Sequence, residues 1–178
     1  MTSEKLSAGA AFPAIELPVL SGGTATLGKP QDGRDWQMVV VYRGKHCPLC
    51  TKYLSELAGL LPEFHGLGVD VIAVSADTER KARDHMAEVG PTFPVAYGLS
   101  LADMHRLGLY VSKPRSPQET DQPFAEPGLF VVNADGAVQI VDISNAPFAR
   151  PDLKTMIGGL TFIRNPENNY PIRGTLAA

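Results

Sequence analysis

The chain has 178 residues, 44% of them hydrophobic, a formal charge of −3 at pH 7 and two cysteines. That is enough apolar material for one substantial core, and it predicts a single domain over residues 1–178, with a core at 10–172 between short flexible tails. The mild acidity excludes the basic surface that nucleic acid or an anionic membrane requires, no apolar run approaches the length of a membrane span, and residues 1–5 lack the basic start and apolar stretch of a secretion signal. The expected compartment is the cytoplasm.

Residues 15–19 and 24–27 read as two short strands joined by Ser21-Gly22-Gly23, a hairpin turn. A Gly/Pro/Asp-rich stretch at 28–35 leads into an apolar, β-branched strand at 36–42. The apolar spacing of Leu54, Leu57, Ala58 and Leu61 then predicts a helix that starts near Pro48, a residue suited to the first helical position. A second buried strand at 69–75 and a helix at 78–89, capped by Asp77 or Thr78, complete a strand-helix-strand unit with parallel pairing. Residues 101–107 read as a short helix and 112–127 as a long loop rich in Pro, Ser, Gln and Asp. Two strands at 129–133 and 138–143, separated by Asp135-Gly136, form a hairpin; a last helix at 151–163 is weakened by Gly158-Gly159.

The two cysteines form Cys47-Pro48-Leu49-Cys50 at the predicted helix start. There the unpaired N–H groups and the positive end of the macrodipole stabilise a thiolate, the form that attacks disulfides and peroxides. A purely structural disulfide closing so small a loop would constrain the unfolded chain little. A structural zinc site needs two further ligands, and the chain has neither a second cysteine pair nor a His-x-x-x-His pair. Thiol redox chemistry is the leading reading. Cys47, nearer the helix end, is expected to attack and Cys50, one turn deeper, to resolve. A copper-binding protein of the same fold remains the non-enzymatic alternative, since two thiolates with a nearby His suit soft or borderline metals, although the sequence identifies no third ligand.

The β-α-β-α, β-β-α order with Cys-x-x-Cys at the first helix resembles the thioredoxin fold, an α/β architecture with a central mixed sheet flanked by helices. The opening Phe12-Pro13-Ala14-Ile15-Glu16-Leu17 with its Gly-Gly turn resembles the alkyl hydroperoxide reductase and thiol-specific antioxidant (AhpC/TSA) family. Tyr42 through Cys50, Pro127-Gly128-Leu129-Phe130-Val131-Val132 and Ala146-Pro147-Phe148-Ala149-Arg150-Pro151 are similar to its peroxiredoxin-like branch. The resemblance implies an antioxidant oxidoreductase that reduces hydroperoxides, with thioredoxin-like disulfide exchange as the alternative. The sequence shows no nucleotide- or flavin-binding signal, so electrons are expected from another dithiol protein, thioredoxin-like, with no bound cofactor or metal. A homodimer is possible, and an apolar rim at 97–110 is a surface for it.

Within these motifs Arg43 and Arg150 are the candidate catalytic arginines, because a departing peroxide oxygen gains negative charge that a fixed donor stabilises. Gly44 and His46 are candidate substrate-binding residues beside Cys47, with Lys45 a further cation at the site. Typical family members carry Pro and Thr seven and three residues before the attacking cysteine, where this chain has Val40 and Gly44. Pro127 occupies the slot of a second arginine; it resembles the cis-proline that faces the cysteines in thioredoxins, and is a third substrate-binding candidate. Arg115, Glu126, His85 and His105 read as loop or surface residues.

Overall fold

In the computed structural model, which describes residues 4–177, β1 (Glu16–Pro18) and β2 (Thr24–Thr26) form the N-terminal hairpin. A five-stranded sheet follows: β3 (Trp36–Val41), β4 (Val69–Val74), β5 (Val95–Ala96), β8 (Gly128–Val132) and β9 (Val138–Ile143), in the order β5-β4-β3-β8-β9. β3, β4 and β5 run parallel, while β8 and β9 are antiparallel to their neighbours. The sheet is therefore mixed. The parallel pairing of β3 and β4 needs a crossover, supplied by helix α1 (Pro48–Gly66).

Side chains alternate along β3. Met38, Val40 and Tyr42 face one core with α1, Met86 of α2 (Glu79–Val89) and Leu153 and Leu160 of α4 (Leu153–Arg164). Val39 and Val41 face a second core with the N-terminal hairpin and α3 (Leu101–Arg106). In α1 the buried residues are Cys50, Leu54, Leu57, Leu61 and Phe64, a stripe at helical spacing, so the burial that fixes this helix also fixes Cys50. The helix-capping choice between Asp77 and Thr78 falls to Thr78, whose hydroxyl accepts the Lys81 amide at 3.4 Å.

Three features differ from expectation. The stretch at 112–127 is bracketed by β6 (Val111–Ser112) and β7 (Phe124–Ala125), an antiparallel pair too short to leave a sequence pattern. The N-terminal segment is tied down before residue 10: the Lys5 ammonium donates to the Gly108 carbonyl, and Gly9 N–H donates to Val138 O. Residues 1–3 and 178 of the expected tails lie outside the described residues. At 97–110, Leu99, Met104, Leu107 and Leu109 turn into the core, leaving Leu101 and Tyr110 exposed, so the expected rim is largely interior. Among the described residues no helix is long and apolar enough to cross a membrane.

Candidate active site

Cys47 is the N-cap of α1, with extended backbone, and Pro48 takes the first helical position. The Cys47 sulfur accepts the Cys50 N–H at 3.2 Å, an amide of the first turn that is shared with the Cys47 carbonyl at 3.1 Å. The two Cα atoms are 5.3 Å apart with the sulfurs at disulfide distance. Neither is open to solvent: Cys47 is 2% exposed and Cys50 0%. Exposure does not separate their roles in this closed state.

A guanidinium lies beside the pair. Arg150 Nη2 donates to the Cys50 sulfur at 2.7 Å. The arginine is held from below by Tyr53, three residues after Cys50 on α1, whose ring lies 5.1 Å from the guanidinium and whose O–H donates to Pro151 O at 2.7 Å. Burial, with the Arg43 charge nearby, lowers the Arg150 pKa to about 10, and the site still carries its positive charge at neutral pH. Burial also pushes the Tyr53 phenol upward, so it remains a neutral donor.

Arg43 is occupied elsewhere. Its guanidinium pairs with Glu126 at 3.2 Å and Glu119 at 3.6 Å and lies over the Phe124 ring at 4.7 Å. Glu126, expected as a loop carboxylate, is buried and accepts the Ser112 hydroxyl at 2.6 Å. Arg115 is exposed and pairs with Glu119. His46 packs edge-on against Phe124, and both its ring nitrogens lack a hydrogen-bond partner among the described residues; burial lowers its pKa, and Arg43 adds to the effect. With Lys45, Asp77, Lys81 and Asp121 it lines a cleft of about 410 Å³.

Gly44 has φ +137°, and a Cβ there would fall 2.7 Å from the Asp77 carboxylate. The close approach of that carboxylate, and not only the φ, excludes the family's Thr at this position. Pro127 is buried beside Arg150 and Pro151 and its carbonyl accepts the Ser144 N–H. No peptide bond among the described residues is cis, so the expected cis-proline geometry is absent.

Two further buried side chains belong to this end of the molecule. His85, expected on the surface, is fully buried, shares a 2.7 Å hydrogen bond with Thr51 next to Cys50, and packs against the Tyr42 ring; burial lowers its pKa. Its place in a stripe with Ala82 and Met86 is visible as helical spacing. Asp77 follows the carboxyl end of β4, the edge where open α/β sheets gather their functional loops. His105 lies in the last turn of α3 and is exposed, as expected.

The family model described as AhpC/TSA family matches residues 8–141. The chain belongs to that family. It is 28% identical over 106 residues to a probable 1-Cys peroxiredoxin of Syntrichia ruralis, covering 56% of this chain and 48% of that one. It is 33% identical over 82 residues to peroxiredoxin Bcp of Xanthomonas campestris pv. campestris, covering 46% and 51%. The matched stretches thus span about half the length of these curated relatives. The crystal structure of peroxidoxin BcpB from Mycobacterium tuberculosis superposes with a TM-score of 0.71 at 20% identity, over 88% of this chain and 97% of that one, which shows the shared fold.

Proposed function

We propose that the protein is a peroxiredoxin-like thiol peroxidase, acting as one thioredoxin-like domain. The observation that supports this most is the Arg150 guanidinium at 2.7 Å from the Cys50 sulfur. When a thiolate attacks a hydroperoxide, an S–O bond forms as the O–O bond breaks and charge develops on the departing oxygen; a fixed cation beside the sulfur stabilises that charge. The two sulfurs are at disulfide distance, so the cation serves the pair; Cys47, the helix N-cap whose sulfur accepts the Cys50 amide, takes the attack and Cys50 resolves, the order expected from sequence. Cys47 thiolate takes the terminal OH to become a sulfenic acid, and the alkoxide takes a proton and leaves as an alcohol. The Cys50 thiol then attacks that sulfur, releasing water and closing the disulfide. A thioredoxin-like dithiol protein supplies the two electrons that reopen it, in the reducing environment of the cytoplasm. Association as a homodimer is part of the proposal.

A second reading rests on a separate contact. The Cys47 sulfur, capping the helix and accepting the Cys50 amide, suits attack on a disulfide, which makes protein disulfide exchange the alternative. The copper reading lacks support from the donor set: among the described residues no third His, Cys, Asp or Glu joins the two thiols.

Rapid mixing of the reduced protein with hydrogen peroxide, an organic hydroperoxide and a model disulfide separates the two enzymatic readings. The peroxidase reading expects oxidation by peroxide well above the rate of a free thiol. A peroxide rate equal to that of a free thiol, beside fast disulfide exchange, overturns it.

A further inference from the structure

The Asp77 carboxylate is 3% exposed, and it is spent on the backbone of the cysteine loop. Its Oδ2 accepts the Lys45 N–H at 2.8 Å, and its Oδ1 lies against Gly44, 2.7 Å from where a Cβ would stand. Gly44 in turn passes the constraint on, since its carbonyl accepts the Cys47 N–H at 3.1 Å. Asp77 is itself fixed: its N–H donates to the Ser75 hydroxyl at 3.3 Å, and its carbonyl accepts the Gly98 N–H at 2.9 Å. A rigid point on the β4–α2 connection is thus linked through two hydrogen bonds to the residue that caps α1.

We propose that Asp77 is a positioning residue of the cysteine pair, whose buried carboxylate holds the loop at 44–47 so that the two sulfurs are preorganised for closing. The proposal rests on the reading of Cys47 and Cys50 as a redox pair. An unclamped loop must lose backbone freedom each time the disulfide closes, and that ordering opposes closure. The clamp removes that cost in advance. A carboxylate is not essential for the contact, only an acceptor of the same reach, so Asn should replace Asp77 and Ala should not. Burial pushes the Asp77 carboxyl upward, and the Lys45 amide and Lys81 oppose that shift.

The test is the equilibrium of the pair with glutathione and its disulfide, in which two thiols of the protein close as one glutathione disulfide becomes two thiols. For Asp77→Ala the closing constant is expected to fall about tenfold, roughly 30 mV in midpoint, while Asp77→Asn stays within about threefold of the wild type. An Asp77→Ala constant equal to the wild type, or an Asp77→Asn constant as low as that of Asp77→Ala, overturns the proposal. Amide exchange on the wild-type protein keeps it falsifiable even if Asp77→Ala does not fold: the Lys45 amide is expected to be protected, and free exchange there overturns the clamp. Neither readout uses peroxide, so a wild type inert to hydroperoxides would remove the peroxidase reading and leave this test standing.

Discussion

The two ends of the central sheet both bury charge, and they use it differently. Where β3 and β4 begin, Asp70 is 2% exposed and accepts from the Gln31 amide at 3.0 Å and Gln37 Nε2 at 3.1 Å, with Arg34 Nε at 3.5 Å. Gln37 and Asp70 face each other in the β3–β4 register, so this cluster ties strand to strand. Where the same strands end, the carboxylates hold loops instead: Asp77 grips the cysteine loop and Glu126 grips Arg43. Atoms without a hydrogen-bond partner among the described residues occur at both ends, Arg34 Nε at the first and the His46 nitrogens and His85 Nδ1 at the second. What differs is what the charges hold: strand to strand at one end, and the loops around the cysteine pair and Arg43 at the other.

The largest expected effect that sharpens this contrast is at the thiol end. Replacing Arg150 by Ala should slow peroxide oxidation of the reduced protein by about a hundredfold to a thousandfold, the usual loss when one donor to a developing oxyanion is removed, with model-disulfide exchange changed far less. Stopped-flow rates with both oxidants check it, and an equal loss in both would remove the reading of Arg150 as a donor to the departing oxygen. At the other end Asp70→Ala should leave those rates unchanged and cost about 2 kcal/mol, seen as a fall of roughly 4–8 °C in thermal midpoint. A lost peroxide rate in that variant would break the division of labour.

A smaller effect concerns pH. His46, His65 and His85 all have pKa values lowered chiefly by burial. Below their ordinary value of about 6.5 the unfolded chain binds protons that the folded chain refuses, so stability should decline as pH falls from about 7 to 5. Thermal midpoints across that range test the sign. His85→Gln should flatten the slope, because Glu88 and Lys45 act on His85 with opposite signs and leave desolvation dominant.

Much of this was legible in sequence where the signal is local. The apolar run of β3, the stripe from Leu54 to Phe64 and the Cys-Pro-Leu-Cys start of α1 identify the scaffold and the reacting pair, because each follows from spacing within one element. β5, β6 and β7 are two residues each, too short for any period to show. The assignment of Arg150 to Cys50, and of Asp77 to Lys45, joins residues 100 and 32 positions apart, which no local pattern encodes. Arg43 illustrates the converse: its place in the motif is visible, yet the carboxylates that occupy it, Glu119 and Glu126, come from a stretch that reads only as a polar loop.

In the proposed cycle Cys47, the N-cap of α1 with Arg150 beside the pair, is the sulfur that meets peroxide. Treating reduced Cys47→Ser and Cys50→Ser variants with one equivalent of hydrogen peroxide, and following intact mass and sulfenic-acid trapping, tests this. Cys50→Ser is expected to gain one oxygen atom on Cys47 at close to the wild-type rate while Cys47→Ser reacts no faster than a free thiol. Rapid oxygen uptake at Cys50 in the Cys47→Ser variant, with an inert Cys47 in the other, would contradict it.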